Sequence, residues 1–405
     1  MGMEPIVIAG AGPVGMTVAD ILSAKGVSVI VLEKDSQPSK EWRASTFHAG
    51  TLELLEPAGL ADELMRRGLV AEKVQYLDRK DGLYAEFDFR LLKEETKYPF
   101  RLQVSQATYV EVIFERLKQR ANADVRFQAE LIDFQQDSQG VTVTIETPEG
   151  REQLRTPYLI GTDGGRSTVR KKLGVTFDGY THEERWMLNA TPVDFHQYNP
   201  NLAYVNYISD PEQFLFILRV PEAWRFLYPI PPEMSDQVAR DSSNIEQTMQ
   251  EVFRTTDRFP IIENTIYKIH QRVAGQFYQG RVVLVGDAAH LNSPMGGLGL
   301  NSGIHDAVDL GIRLLRLLDG ADREAELSTY NELRRRVAVD YVKEISEKNT
   351  QVVKEKDPEY RKQLQKEMAE LANDPVRAIK WMLRSAMISS VREQGIGKPP
   401  EALQK

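Results

Sequence analysis

Pro5-Ile6-Val7-Ile8-Ala9 is a continuous apolar stretch that runs into a glycine-rich turn. A mostly apolar segment from about Val14 to Lys25 follows, closed by Gly26, and a second β-branched run fills Val27 to Leu32. Two strand-length apolar runs flanking one of helix length predict a βαβ unit whose strands lie parallel. Gly26 stands where a helix's C-terminal glycine belongs. The pattern changes in the middle of the chain. Twelve of the 54 residues from Phe177 to Ile230 are aromatic, against 8% of the whole. They fall in alternating pieces such as Tyr204-Val205-Asn206-Tyr207 and Phe214-Leu215-Phe216-Ile217, which predict a second, largely antiparallel sheet. Its rings either fill a sheet core, as strand aromatics commonly do, or line an aromatic pocket. The first style returns at Arg281-Val282-Val283-Leu284-Val285, another buried strand. From Leu300 on, apolar residues recur at Ile304, Val308, Ile312 and Leu315, a helical stripe. Charged, helical sequence continues to about Glu393.

Composition narrows the class. With 405 residues the chain is too long for one ordinary core. Its net charge of −8 and the lack of any basic block argue against a nucleic-acid partner. No apolar run approaches about 20 residues, so no membrane span is expected. The first apolar stretch is broken by glycines, contains Asp20 and has no basic lead, unlike a signal peptide. The simplest location is cytoplasmic. Cysteine is absent, which removes disulfides, thiolate metal sites, thiol nucleophiles and iron–sulfur clusters. None of the six histidines has metal-like spacing, so no metal is expected.

Gly10-Ala11-Gly12-Pro13-Val14-Gly15 is G-x-G-x-x-G between a strand and a helix. Gly10 permits the tight turn, Gly12 lets a pyrophosphate approach the backbone, and Gly15 lets helix and strand pack closely. The helix amino terminus, opened by Pro13, offers free N–H groups from Val14 on and positive dipole to phosphates. The next strand ends in Glu33, about 20 residues on, where a carboxylate binds ribose hydroxyls; Lys34 follows it in the candidate site. Far downstream, Gly286-Asp287 follows another strand and leads through Pro294 to Gly296-Gly297-Leu298-Gly299-Leu300-Asn301. Two strand–glycine–helix elements so far apart suit a long bipartite ligand such as FAD. Asp287 is placed to accept a ribityl hydroxyl. The N–H groups of Leu300 and Asn301 are placed to face the flavin's pyrimidine edge, where a helix N-terminus stabilises the reduced anion.

At these residues the chain resembles the single-component FAD-dependent aromatic hydroxylases of the p-hydroxybenzoate hydroxylase type. Three motifs match in order over roughly residues 3 to 345: the glycine turn with Glu33, the stretch Gly161-Thr162-Asp163-Gly164-Gly165-Arg166-Ser167-Thr168-Val169-Arg170, and Gly286-Asp287 with Pro294 and its glycine run. The middle stretch resembles the family's D-G motif, linked there to FAD and NAD(P)H through Asp163 and Gly164. Arg43 occupies the family's arginine position beside the flavin, and Gln106 matches its flavin-contacting glutamine. Leu298 departs from the frequent glutamine of the glycine run, and the thioredoxin-like extension of larger phenol hydroxylases is lacking. The resemblance implies an α/β fold: a Rossmann-like FAD-binding domain in three parts (1–75, 101–175 and 271–345) with an inserted, largely antiparallel substrate sheet and C-terminal helices. The substrate domain takes strands from 76–100 and the bulk of 176–270; the helices are 346–405. It also implies non-covalent FAD, NADH or NADPH as co-substrate, and O2 added at the flavin C4a to give a hydroperoxide that hydroxylates an aromatic, phenolic or polycyclic substrate.

A flavin hydroperoxide loses peroxide where water reaches it, so a dry pocket is required; the aromatic sheet is the expected roof. His48 and Arg225 are the catalytic candidates, His48 as a polar group facing substrate and Arg225 in contact with substrate or flavin. A helix-cap or packing role for His48 and a solvent-facing Arg225 are the alternatives, and no general base stands out. His290 reads as structural. Rival functions on the same scaffold are reduction of prenyl or quinone substrates, Baeyer–Villiger oxygenation, halogenation, and a non-enzymatic redox partner. The C-terminal residues Trp381, Met382 and Met387 pack either on the chain's own flavin domain or on a second subunit of a homodimer.

Overall fold

Strands buried along their whole length need cover on both faces. Ile6–Ala9, Val29–Leu32, Leu159–Gly161 and Val282–Leu284 are buried at every residue. They form the centre of a six-stranded sheet and pair in parallel, with Ala123–Arg126 at one edge and Tyr278–Gln279, antiparallel, at the other. The computed structural model describes residues 4–40, 44–342, 344 and 351–396. Helix Pro13–Ala24 packs against both Gln106–Leu117 and Leu298–Leu318. The last of these begins two residues earlier than its apolar stripe, because Gly297, at φ 67°, turns the chain into it.

The second sheet has eight strands, in the order His290–Leu291, Glu263–Ala274, Phe177–Thr191, Trp224–Ile230, Leu215–Arg219, Val205–Ser209, Lys73–Asp78, Gly82–Asp88. Every pairing is antiparallel except that of Val205–Ser209 with Lys73–Asp78. Both readings of the aromatic run are realised, one on each face. Trp224, Phe226 and Tyr228 join Phe195 and Phe259 in a separate apolar cluster. Leu227 points the other way, into the main core with Tyr207 and Phe216, as period-two alternation requires.

A small three-stranded sheet of Thr46–Phe47, Arg101–Gln103 and Leu69–Ala71 brings residues from distant positions together. The C-terminal helices lie on their own chain. Pro358–Asn373 packs on Gly82–Asp88, and Trp381 stacks on Phe87 with centroids 4.0 Å apart. Met382 and Met387 are fully buried. No helix among the described residues is long and apolar enough to cross a membrane.

Candidate active site

The glycine turn is held from three sides. Gly10, at φ 108°, donates to the Leu32 carbonyl at 2.7 Å. Thr162 Oγ1 lies 2.8 and 2.9 Å from the carbonyl oxygens of Ala9 and Gly10. Glu33 accepts from the Ala11 N–H at 2.9 Å and from the Asp35 N–H at 3.1 Å. The carboxylate therefore braces the turn as well as facing the expected ribose, and each of its oxygens keeps a second lone pair for a hydroxyl. Lys34 beside it is exposed. An added Cβ at Gly15 would sit 2.1 Å from the Gly10 carbonyl oxygen, whereas one at Gly12 would meet nothing within 4 Å. No side chain caps helix Pro13–Ala24 and no acid occupies its first turn. An open, uncapped, unopposed helix N-terminus fits a pyrophosphate.

The downstream element is built alike. Gly286, at φ 60°, packs on Val14 so closely that a Cβ would lie 2.8 Å from its Cγ2. Its N–H is held by Asp306 at 3.2 Å. Asp287 is exposed at the end of the strand, not buried, because its short turn carries it beyond the sheet edge. Helix Leu298–Leu318 also lacks a side-chain cap, which leaves the N–H groups of its first turn, Leu298 to Leu300, for a ligand, whereas the Asn301 N–H enters the helix's own hydrogen bonding. The Asn301 side chain is spent elsewhere. Its Nδ2 donates to the carbonyls of Thr46 (2.8 Å) and Gly297 (2.6 Å), and its Oδ1 accepts from the His48 N–H (2.9 Å) and Thr51 Oγ1 (2.7 Å). Asn301 thus clasps the 46–51 segment to the glycine run, a role the sequence did not reveal.

In the D-G motif, Asp163 accepts from Ser167 Oγ and from the N–H groups of Thr168 and Val169 at 2.7 and 3.0 Å, capping the short helix Thr168–Leu173. Gly164 sits at φ 76°. Arg170 bonds the Ala288 carbonyl at 2.8 Å and the Gly165 carbonyl at 2.7 Å, tying this motif to Gly286-Asp287. Gln106 is half-buried and opens helix Gln106–Leu117. Arg43 lies outside the described residues. Among those described, no group of three His, Cys, Asp or Glu is placed to hold a metal ion.

His48 is fully buried and lies outside the lining of the cavity between the downstream glycine run and the eight-stranded sheet. Its Nε2 bonds the Gly296 carbonyl at 2.8 Å, so it stands behind the glycine run instead of facing substrate. A carbonyl only accepts, so this nitrogen carries the proton and Nδ1 is bare. His305 sits 2.8 Å from Thr51 Oγ1. That hydroxyl already donates to Asn301, so His305 donates in turn. Burial first, then Arg101 for His48 and Arg334 for His305, pushes each pKa down to about 3. The folded values lie below the ordinary 6.5, so the unfolded chain takes up protons that the folded one refuses. Stability is complete above pH 6.5 and falls as pH drops towards 3, by about 1.4 kcal/mol per pH unit for each ring. Urea unfolding at pH 6.5, 5.5 and 4.5 should show this slope, and His48→Gln should remove one ring's share. An unchanged slope would contradict the neutral assignment.

A cavity between the downstream glycine run and the eight-stranded sheet measures about 40 Å³. Its floor is Thr46, Arg101, Pro294, Gly296 and Gly297; its roof is Val205, Tyr207, Phe216, Leu218 and Leu227 of the eight-stranded sheet. Arg225 is not aimed at solvent. It is fully buried on the same strand face as Leu227, opposite Leu218, but outside the lining. Burial pushes its pKa down to about 10 against the opposing pull of Tyr267, Glu263 and Glu222. Sequence reasoning missed Arg101 and Tyr207. Alternation in the Tyr204–Tyr207 piece was the one available signal, and it could not say which face met a ligand.

Residues 3–345 match the family described as FAD binding domain. The chain is 32% identical over 368 residues to the para-nitrophenol 4-monooxygenase of Pseudomonas sp. (strain WBC-3), covering 89% of each. It is 28% identical over 340 residues to the 6-hydroxy-3-succinoylpyridine 3-monooxygenase of Pseudomonas putida (strain DSM 28022 / S16), covering 84% of this chain and 86% of that protein. The crystal structure of p-nitrophenol 4-monooxygenase from Pseudomonas putida DLL-E4 matches with a TM-score of 0.90 at 30% identity, over 95% of this chain and 98% of that one.

Proposed function

This chain belongs to the FAD-binding-domain family and is an FAD-dependent aromatic hydroxylase, and from that premise we propose that its substrate is a single-ring phenol. The observation that carries the reading is the cavity between the glycine run and the aromatic sheet. At about 40 Å³ it holds a few waters; its walls must part to admit one ring, and further for a fused polycycle. The relative at 32% identity is named for a nitrophenol, which supports the same size class. The net reaction is ArOH + O2 + NAD(P)H + H+ giving Ar(OH)2 + H2O + NAD(P)+.

FAD, when bound, supplies electron exchange with NAD(P)H and the activation of dioxygen. The chain does the rest. We assign its pyrophosphate to the N-terminus at Gly12, Pro13, Val14 and Gly15, and its adenosine ribose to Glu33. Asp287 and the helix start at Gly299 and Leu300 take the other end. Donors fixed before reaction cost no reorganisation during it. Tyr207, Phe216, Leu218 and Leu227 roof the ring plane and exclude water, which keeps oxygen transfer ahead of peroxide loss. We place the enzyme in the cytoplasm, where NAD(P)H is available and a chain without cysteine needs no oxidising compartment.

The test is a panel of phenols with the purified holoenzyme, following NAD(P)H, O2 and peroxide together. A productive substrate should consume NAD(P)H and O2 one to one with little peroxide. Consumption of NAD(P)H without O2 would point to quinone reduction instead. Turnover confined to polycyclic compounds would overturn the single-ring reading.

A further inference from the structure

A series of oxidisable rings leads from the cavity to the surface. Tyr207, in the cavity roof, stacks on Tyr76 with centroids 4.8 Å apart and planes at 15°. Tyr76 in turn meets Trp381 edge-on at 6.3 Å. The two tyrosines are buried, whereas Trp381 is half-buried on helix Pro375–Ser385. Phe87 stacks on Trp381 at 4.0 Å and meets Tyr76 edge-on at 5.9 Å, which fixes the tryptophan beside the tyrosine. Offset and edge contacts of this kind are ordinary aromatic packing, and phenylalanine would satisfy them equally. The three contacting rings are instead the types that give up an electron most readily. In the opposite direction the series stops. Tyr207 meets Phe216 at 5.0 Å, and only behind that ring does Trp186 lie, buried and stacked on it at 5.5 Å. Phenylalanine resists oxidation, so the continuous path runs outward. Arg101 gives it direction. Its Nη1 lies 3.4 Å from Tyr207 Oη, and a fixed positive charge there repels an electron hole from that ring.

We propose that Tyr207, Tyr76 and Trp381 form a relay that carries oxidising equivalents out of the cavity when oxygen is reduced there without hydroxylating a substrate. It rests on the hydroxylase reading and not on which substrate is taken. The oxidant is an oxygen-centred radical RO•, with R either H or HO, formed when O2 takes up electrons one at a time. Tyr207 gives its hydroxyl hydrogen to RO•, making ROH. It recovers an electron from Tyr76 and a proton from cavity water. Tyr76 recovers its electron from Trp381, and the Trp381 Nε1 proton passes to solvent. The net change is RO• plus tryptophan giving ROH plus a neutral tryptophanyl radical. At the half-buried Trp381 a small solution thiol restores the ring by giving up its hydrogen atom. Electron exchange between contacting rings outpaces the covalent damage that a trapped radical does to its neighbours, so the cavity lining is spared. Tyr84, half-buried and 6.3 Å from Tyr76, offers a second exit.

The experiment lets the FAD-loaded enzyme oxidise NAD(P)H with O2 in the absence of substrate and of thiol. Catalase is present, so that free peroxide does not reach the surface. Peptide mass mapping then locates the oxidised residues, and the turnovers completed before activity is lost are counted. Wild type should be oxidised at Trp381 with the cavity lining intact. Tyr76→Phe keeps the stacked ring and removes its ease of oxidation. It should lose most of the Trp381 oxidation, acquire lesions in the cavity lining and inactivate after severalfold fewer turnovers. Trp381→Phe should move the oxidation to Tyr84 and serves if Tyr76→Phe does not fold. A packing role alone would leave the site of oxidation unchanged. Trp381 oxidised equally in wild type and Tyr76→Phe, or spared in wild type while the cavity rings are oxidised, overturns the relay. Illumination without NAD(P)H gives a second readout, because light-excited flavin is itself a one-electron oxidant. Transient absorption should show a tryptophan radical in wild type that is absent from Trp381→Phe and much reduced in Tyr76→Phe. A wild type without that radical, or a signal unchanged in Trp381→Phe, also overturns the relay. If the dark reaction consumes no O2, the light arm alone decides. That arm needs no hydroxylation, so the relay and the hydroxylase reading fail separately.

Discussion

Gly15→Ala should leave the purified protein nearly free of flavin. The new methyl would lie 2.1 Å from the Gly10 carbonyl oxygen, 2.5 Å from Thr162 Oγ1 and 3.2 Å from Ile8 Cγ2. The nearest atom is backbone and cannot swing away. Gly10 is fixed at its N–H by Leu32 and at its carbonyl by Thr162, so relief means prising the turn from two strands. Overpacking of this kind costs about 1–3 kcal/mol, and here it falls on the turn that the pyrophosphate needs. If all of it appears in binding, FAD affinity drops roughly 5- to 150-fold. Gly12→Ala is the informative partner. Its methyl meets nothing within 4 Å, and φ of −73° is open to any residue. It should leave the apoprotein as stable as wild type while still blocking the close approach of phosphate. Flavin-to-protein absorbance ratios and apoprotein unfolding midpoints separate the two cases. Full flavin content in Gly15→Ala would show that the turn yields more easily than its hydrogen bonds imply.

Asp306→Leu should be the most destabilising single change away from the glycine turns, costing about 3–5 kcal/mol. Asp306 has no exposed surface. One oxygen accepts from Arg334 Nε at 2.5 Å; the other lies 2.7 Å from His290 Nε2 and 3.2 Å from the Gly286 nitrogen. Removing the carboxylate strands a fully buried arginine and releases the N–H that sets the Gly286 turn. Asp306→Leu combined with Arg334→Met should recover much of the loss, because the pair is then replaced instead of broken. Burial alone would raise the Asp306 pKa, but Arg334 and then His290 outweigh it and hold the carboxyl below its ordinary 3.8. A depressed folded value means its stabilisation is complete above pH 3.8 and is lost only as pH falls through the lower folded value. Urea unfolding of the two variants at neutral pH checks the order. A double variant less stable than Asp306→Leu would show that the pair matters for more than its charges.

What could be read from the sequence was what is local. The strand, the turn Gly10–Gly15 and Glu33 lie within one βαβ unit, so spacing alone placed them. The aromatic run named a sheet, since alternation needs no knowledge of partners. Which ring met the cavity depended on register: Tyr207 stands beside Phe216, and Phe216 beside Leu227, only once three strands are paired. Arg101 comes from a three-residue strand with no periodic signal, and the tyrosine it reaches is 106 positions away. His48 reads as a substrate ligand from the sequence because it is polar and follows the arginine position beside the flavin. Its burial follows from the Asn301 clasp, a contact spanning 253 residues. Arg225 has an undecidable face until strand pairing sets Leu218 opposite it.

If this cavity hydroxylates a single-ring phenol, the new oxygen must come from O2. The direct measurement is turnover of p-nitrophenol by the FAD-loaded enzyme with NAD(P)H under isotopically labelled dioxygen, followed by mass analysis of the rapidly quenched and reduced product. One labelled oxygen atom is expected in the ring product for each NAD(P)H oxidised. Product without label, or NAD(P)H oxidised only to give labelled peroxide across the whole phenol panel, would contradict it.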